Sequence, residues 1–192
     1  ALAPLVRGAV ALGVSANALT ASSLLFGAAA GLAVAFGRFG MATLFGLLAA
    51  LVDTLDGQVA RATGTTSTAG KLFDATADRY VEAALFVGIV FYVRASAPLL
   101  LLTLAALIAS FLVSYVSAKI EAYPNVSVPR GAMRRGERLV LLTLGTGLVP
   151  AVARLFPSTA SLVPLIVALA IIAVAGNFSA VRRLLHLARS AP

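Results

Sequence analysis

The sequence predicts an all-α integral membrane protein, with six transmembrane helices preceded by one short interfacial helix. The first supporting observation is composition. Of 192 residues, 60% are hydrophobic and only 11% charged, with a mean hydropathy of +1.01, whereas a soluble domain is about one quarter charged. The second is that the apolar residues fall into long runs parted by short polar turns. The third is that all four aspartates lie within one stretch, Asp53 to Asp78.

Residues 5–15 include Arg7 and are too short to span, so they read as a segment lying at the interface. The opening Ala1-Leu2-Ala3-Pro4 does not have the basic start and cleavage pattern of a signal peptide. Ser15-Ala16-Asn17 offers a helix start, and a first span runs over 18–36 before Gly37-Arg38-Phe39-Gly40 turns it. Met41 to Val52 is too short to cross, because a bilayer takes about twenty residues at 1.5 Å each, so this helix continues through Asp53 to Ala60. Val81 to Val93 has the same shortfall at its other end and begins near Leu72 or Asp74. Both acidic turns then sit at one end of a helical hairpin, joined by the hydroxyl-rich loop 62–69. Further spans are expected over 98–118, 139–156 and 160–181, with Pro150, Pro164 and Gly176 as kink positions and Pro124 and Pro129 breaking the loop 121–136. No repeat is visible, and residues 1–192 read as a single membrane domain.

Sorting the Lys and Arg residues by these spans leaves only Arg38, Arg94 and Arg154 on one side and the other twelve opposite. The positive-inside rule places both termini and the acidic end in the cytoplasm of a cell membrane. The net charge of +8 follows from this topology, and no basic stripe with interleaved aromatics points to nucleic acid. The absence of cysteine and the single His186 exclude disulfides, thiolate chemistry and a histidine metal cluster, leaving carboxylates as the available chemistry.

A carboxylate at membrane depth costs several kcal/mol unless it is paired or binds a cation. Asp53 and Asp56 are three apart and Asp74 and Asp78 four apart, so each pair projects from one helix face. Gly57, Ala60 and Arg61 fall within about 80° of Asp53, placing small residues and one cation on the same face. Only Arg61, Lys71 and Arg79 lie near enough in sequence to neutralise the four aspartates and Glu82. One or two Mg²⁺ or Mn²⁺ ions, held by Asp53, Asp56, Asp74 and Asp78, would fill the deficit. A structural acid–base network is the plainer alternative, but it has no use for glycine and alanine at fixed offsets.

The order Asp53-x2-Asp56-Gly57-x2-Ala60-Arg61-x8-Gly70-x3-Asp74-x3-Asp78 resembles, without a departure, the signature of the CDP-alcohol phosphotransferases. The resemblance implies a six-helix membrane enzyme, usually a homodimer, that uses divalent metal to displace CMP from a CDP-linked alcohol by a second alcohol. It implies Asp78 as the catalytic base. It also makes Asn17, Thr20, Gly57, Ala60, Arg61, Ser67 and Gly70 contacts to the donor, a CDP-alcohol lipid such as CDP-diacylglycerol.

On the acceptor side, Lys119, Arg130, Arg134, Arg135 and Arg138 lead into the fifth span and Arg182 and Arg183 close the sixth. Cations there suit a phosphorylated alcohol, although topology alone also puts cations in such loops. Gly136-Glu137-Arg138-Leu139-Val140, Ser114-Tyr115-Val116 and Arg183 resemble the phosphatidylinositol-phosphate synthase branch, which implies inositol phosphate held by Arg138 and Arg183, with Lys119 and Arg130 as further acceptor contacts. Where that branch has a Lys-x-Arg pair this chain has Ser117-Ala118-Lys119, losing one cation and replacing another, with Arg130 or Arg134 available to compensate; glycerol phosphate is the second choice of acceptor. A transporter would need a series of mid-bilayer acids, and an intramembrane prenyltransferase two aspartate-rich motifs on separate helices. This chain has one acidic hairpin.

Overall fold

The computed structural model describes residues 2–123, 133–156 and 161–190, and among them are seven helices and no strand. They are α1 (Ala3–Ala11), α2 (Ala16–Ala35), α3 (Phe39–Ala62), α4 (Thr68–Val93), α5 (Ala97–Glu121), α6 (Arg135–Leu155) and α7 (Val163–Ser190). Five of them, α2, α3, α5, α6 and α7, are long and apolar enough to cross a membrane. The protein is therefore a multi-pass membrane protein. At 26 residues, α4 is about 39 Å long, but Lys71, Asp74, Asp78, Arg79 and Glu82, all within its first fifteen residues, make it more polar than the other long helices.

The chain divides into two compact units, residues 1–88 and 89–192. In the first, α2 and α1 both pack on α3. The nine-residue α1 is anchored by Val6, which packs with Leu55 and Val59 of α3 and is flanked by Leu2, Ala9 and Leu19. As expected, α3 runs unbroken through Asp53 to Ala60. The Ser15 hydroxyl accepts from the Ala18 N–H at 3.2 Å and caps α2, which leaves Asn17 inside the helix. α4 starts at Thr68, a turn before the expected position, because the Ser67 hydroxyl accepts from the Gly70 N–H at 3.0 Å. The loop shrinks accordingly to residues 63–67.

α2 and α4 meet backbone to backbone. A Cβ on Gly31 would overlap the Ala84 carbonyl, and one on Gly88 would overlap the Gly31 carbonyl. Such contacts let membrane helices associate where hydrophobicity gives no preference for protein over lipid.

In the second unit α5 and α6 both pack on α7. Buried hydroxyls within it bond to their own helix, Thr103 to the Leu99 carbonyl at 2.7 Å and Thr146 to that of Leu142 at 2.8 Å, as an apolar surrounding requires. α6 begins a turn earlier than expected, because Glu137 accepts from the Met133 and Arg134 N–H groups and caps it. α7 continues nine residues past the expected 181, since nothing in Arg182 to Ser190 breaks a helix. Pro164 sits in the first turn of α7, where it needs no N–H partner, rather than at a kink. Pro124, Pro129 and Arg130, and the 160 end of the last expected span, lie outside the described residues.

Replacing Gly31 by Val should destabilise the first unit by more than the roughly 1–3 kcal/mol typical of overpacking, because the obstruction is backbone. A melting temperature in detergent several degrees below that of the unaltered protein is the expected reading.

Candidate active site

The acids of α3 and α4 converge as their spacing predicts. Asp53 and Asp56 from α3 and Asp74 from α4 each offer a carboxylate oxygen within 4.8 Å of the others. Asp56 is buried at 5% exposure, and Asp53 and Asp74 are half-buried. At that separation each pair of charges repels by about 3.5 kcal/mol even at an effective dielectric of 20. Three hard oxygen donors in so small a space fit a divalent cation of the Mg²⁺ or Mn²⁺ type. Asp78, one turn further along α4 and half-buried, does not belong to this trio.

Beside the trio lies a cavity of about 170 Å³. α2 contributes Ala16, Asn17 and Thr20, and α3 contributes Asp56, Gly57, Ala60 and Arg61. The loop adds Thr65, Thr66 and Ser67, and α4 adds Gly70, Lys71 and Asp74. All seven residues expected to contact the donor line it. A Cβ on Gly57 would stand 3.4 Å from the Arg61 guanidinium, so the glycine leaves room for the arginine to lie along the wall. The cavity thus has two cations, Arg61 and Lys71, beside two carboxylates, with Asp53 close by. Arg79, counted from sequence among the neutralising groups, donates to Glu82 at 2.9 Å. Cations, loop hydroxyls and a carboxylate trio of the size that fits a divalent ion are the groups that phosphate chemistry calls for.

The sequence profile of the CDP-alcohol phosphatidyltransferases matches residues 13–181. The chain belongs to the CDP-alcohol phosphatidyltransferase family. The phosphatidylinositol phosphate synthase of Mycobacterium tuberculosis is 32% identical over 152 residues, covering 75% of this chain and 68% of the relative. Two crystal structures of the M. tuberculosis enzyme are also similar at 28% identity. One, with CDP-DAG bound, has a TM-score of 0.82 and covers 96% of this chain and 92% of the other. The second, in complex with manganese and citrate, has a TM-score of 0.84 and covers 98% and 89%. As a member of this family the chain is a metal-dependent transferase that acts on a CDP-linked alcohol.

The cations expected to serve the phosphatidyltransferase's acceptor divide. Arg138 is buried at 1% exposure, its Nη1 donating to the Met133 carbonyl at 2.7 Å and its Nη2 to the Ser114 hydroxyl at 3.0 Å. Arg183 is buried at 4%, with Nη1 donating to the Ser117 hydroxyl at 2.5 Å. Two guanidiniums, from α6 and α7, are thereby held to one face of α5 by serines three residues apart. Lys119 points elsewhere, about 140° and 160° around α5 from those serines, with its ammonium 5.6 Å from the Tyr115 ring. Met133, whose carbonyl holds Arg138, has a φ of 68°, a left-handed turn rare outside glycine.

Sequence reasoning missed the role of Ser117, which it registered only as a lost cation, and the bond from Thr20 to Asp56. The first was detectable as Ser114 and Ser117 sharing a helix face. The second, between residues 36 apart, had no local signal.

A leucine at 57 would fill the cavity and displace Arg61. Gly57→Leu should weaken binding of CDP at least tenfold, measured by calorimetry on the detergent-solubilised protein, with its melting temperature little changed.

Proposed function

We propose that this enzyme transfers a phosphatidyl group from CDP-diacylglycerol to a phosphorylated alcohol, with inositol phosphate as the first choice, and releases CMP. The observation that carries the reading is the carboxylate trio beside a cavity lined by Arg61, Lys71 and loop hydroxyls. The buried Arg138 and Arg183 supply the phosphate-binding chemistry that a charged acceptor needs. The phosphatidylinositol phosphate synthases among its relatives, and the one solved with CDP-DAG, support the same choice. Glycerol phosphate, which carries the same phosphate group, is the second choice of acceptor.

In this reading, Arg61 and Lys71 pair with the donor's diphosphate, Asn17, Thr65 and Thr66 orient its head, and Gly57 and Ala60 let it lie against α3. A divalent ion held by Asp53, Asp56 and Asp74 would stabilise charge developing on the phosphate oxygens and on departing CMP. Arg138 and Arg183 bind the phosphate of the acceptor, and the acceptor's hydroxyl attacks the β-phosphorus of the donor as CMP departs. Asp78, close to the trio along α4 but not part of it, takes the hydroxyl proton; a carboxylate is a sufficient base once that proton is loosened in the transition state.

We further assign the whole of 1–192 to one catalytic domain, since the family profile extends across both compact units. α4 becomes the sixth span through its 26-residue length, α1 lies at the interface, and the excess of Lys and Arg orients the acidic end toward the cytoplasm of the cell membrane. A homodimer follows from the family resemblance alone.

Purified protein given CDP-diacylglycerol and a panel of inositol phosphate, glycerol phosphate, inositol and serine should release CMP chiefly with inositol phosphate, and chelator should abolish release. Efficient turnover with the uncharged alcohol would overturn the assignment. Arg138→Lys or Arg183→Lys should raise the acceptor KM about tenfold to a hundredfold, the loss of one or two charge-assisted bonds, with the donor KM unchanged. Asp78→Asn should retain CDP binding and lose about 10²–10⁴-fold in kcat; parallel loss of binding would make Asp78 a ligand instead of the base.

A further inference from the structure

Thr20 lines the cavity, but its hydroxyl is directed at a carboxylate. The residue is 3% exposed, and its Oγ1 lies 2.6 Å from Oδ2 of Asp56, itself 5% exposed. The same oxygen lies 3.1 Å from the Ala16 carbonyl. A hydroxyl has one proton, and the two distances decide where it goes. About 2.5–2.7 Å is the range of an O–H donating to an ionised carboxylate, and such bonds are roughly twice as strong as neutral ones. The proton therefore sits on the Asp56 side.

The bond has two geometric consequences. It ties α3's most buried acid to α2, the helix whose glycines lock against α4, so the carboxylate is referenced to both neighbours of its own helix. It also occupies a lone pair of Oδ2, limiting the orientations in which Asp56 can face Asp53 and Asp74. Thr20 itself has little freedom, because a β-branched residue in a helix has few χ1 choices, and the Ser23 hydroxyl donates to its carbonyl at 2.8 Å.

We propose that Thr20 is a positioning residue for divalent-metal binding, presenting Asp56 in the orientation that completes the trio with Asp53 and Asp74. The inference rests on the metal reading of that trio. Hydrogen-bond partners of metal ligands typically govern affinity by about 10–100-fold. A merely structural bond would alter melting temperature and leave metal affinity alone.

The test titrates Mn²⁺ into the 192-residue protein in detergent, following free Mn²⁺ by electron paramagnetic resonance, with CDP affinity measured in parallel without divalent metal. Thr20→Val and Thr20→Ala, either of which serves if the other does not fold, should weaken Mn²⁺ binding about 10–100-fold. Thr20→Ser should restore the Mn²⁺ affinity. Unaltered Mn²⁺ affinity in the hydroxyl-free variants, or a loss that appears in metal-free CDP binding instead, overturns the proposal. Asp53→Asn separates the two levels. If it loses Mn²⁺ while Thr20→Val does not, only the role of Thr20 falls; if it binds Mn²⁺ normally, the metal reading falls with it.

Discussion

The whole of the first unit depends on holding three carboxylates within 4.8 Å in a chain that is 60% hydrophobic. Mutual repulsion and desolvation both oppose that arrangement. Two features of the unit offset it, and a divalent ion held by the trio would neutralise the remaining charge. Asp56 receives a short bond from Thr20, and Arg61 and Lys71 line the adjoining cavity. The groups concerned come from α2, α3 and α4, so these helices must be placed together for them to work. The backbone contact between Gly31 and Gly88 is one means of placement, and Ser67, which starts α4 early, is another.

The second unit meets the opposite problem, two buried cations. Arginine is suited to this because its guanidinium is planar and can divide its donors between partners. Arg138 divides them between a carbonyl and a serine, and Arg183 bonds a serine of the same helix. These bonds orient both planes. A lysine in either place would be a point charge, with neither the fork nor the fixed direction that recognition of a phosphate rewards. The left-handed turn at Met133 belongs to this arrangement, since the peptide whose Met133 carbonyl Arg138 grips is also the one whose Arg134 N–H donates to Glu137.

Most of the donor site was legible in the sequence because it is local. Helical periodicity puts Asp53, Asp56, Gly57, Ala60 and Arg61 on adjoining faces whatever the helix packs against, and the shortness of the apolar runs required α3 and α4 to carry their acids inside continuous helices. Composition likewise established a helical membrane protein, since no soluble core accommodates so few charges. Helix ends were less legible. α4, α6 and α7 all extend beyond their apolar runs, because caps and the absence of breakers decide where a helix ends, whereas hydropathy marks only its apolar part.

Tertiary structure decided what periodicity cannot reach. Which aspartates share an oxygen cluster depends on the approach of α3 to α4, and it selected Asp53, Asp56 and Asp74 while leaving Asp78 outside the trio. Which cations belong with one another depends on packing against α5, and it drew Arg138 and Arg183 to its serines while leaving Lys119 on another face. Thr20, which lines the cavity, meets Asp56 only because α2 rests on α3. The sequence alone determined the kinds of chemistry present and their spacing along each helix, because those follow from bonded geometry. The partner each charge finds across helices is a property of packing, and only the folded chain could decide it.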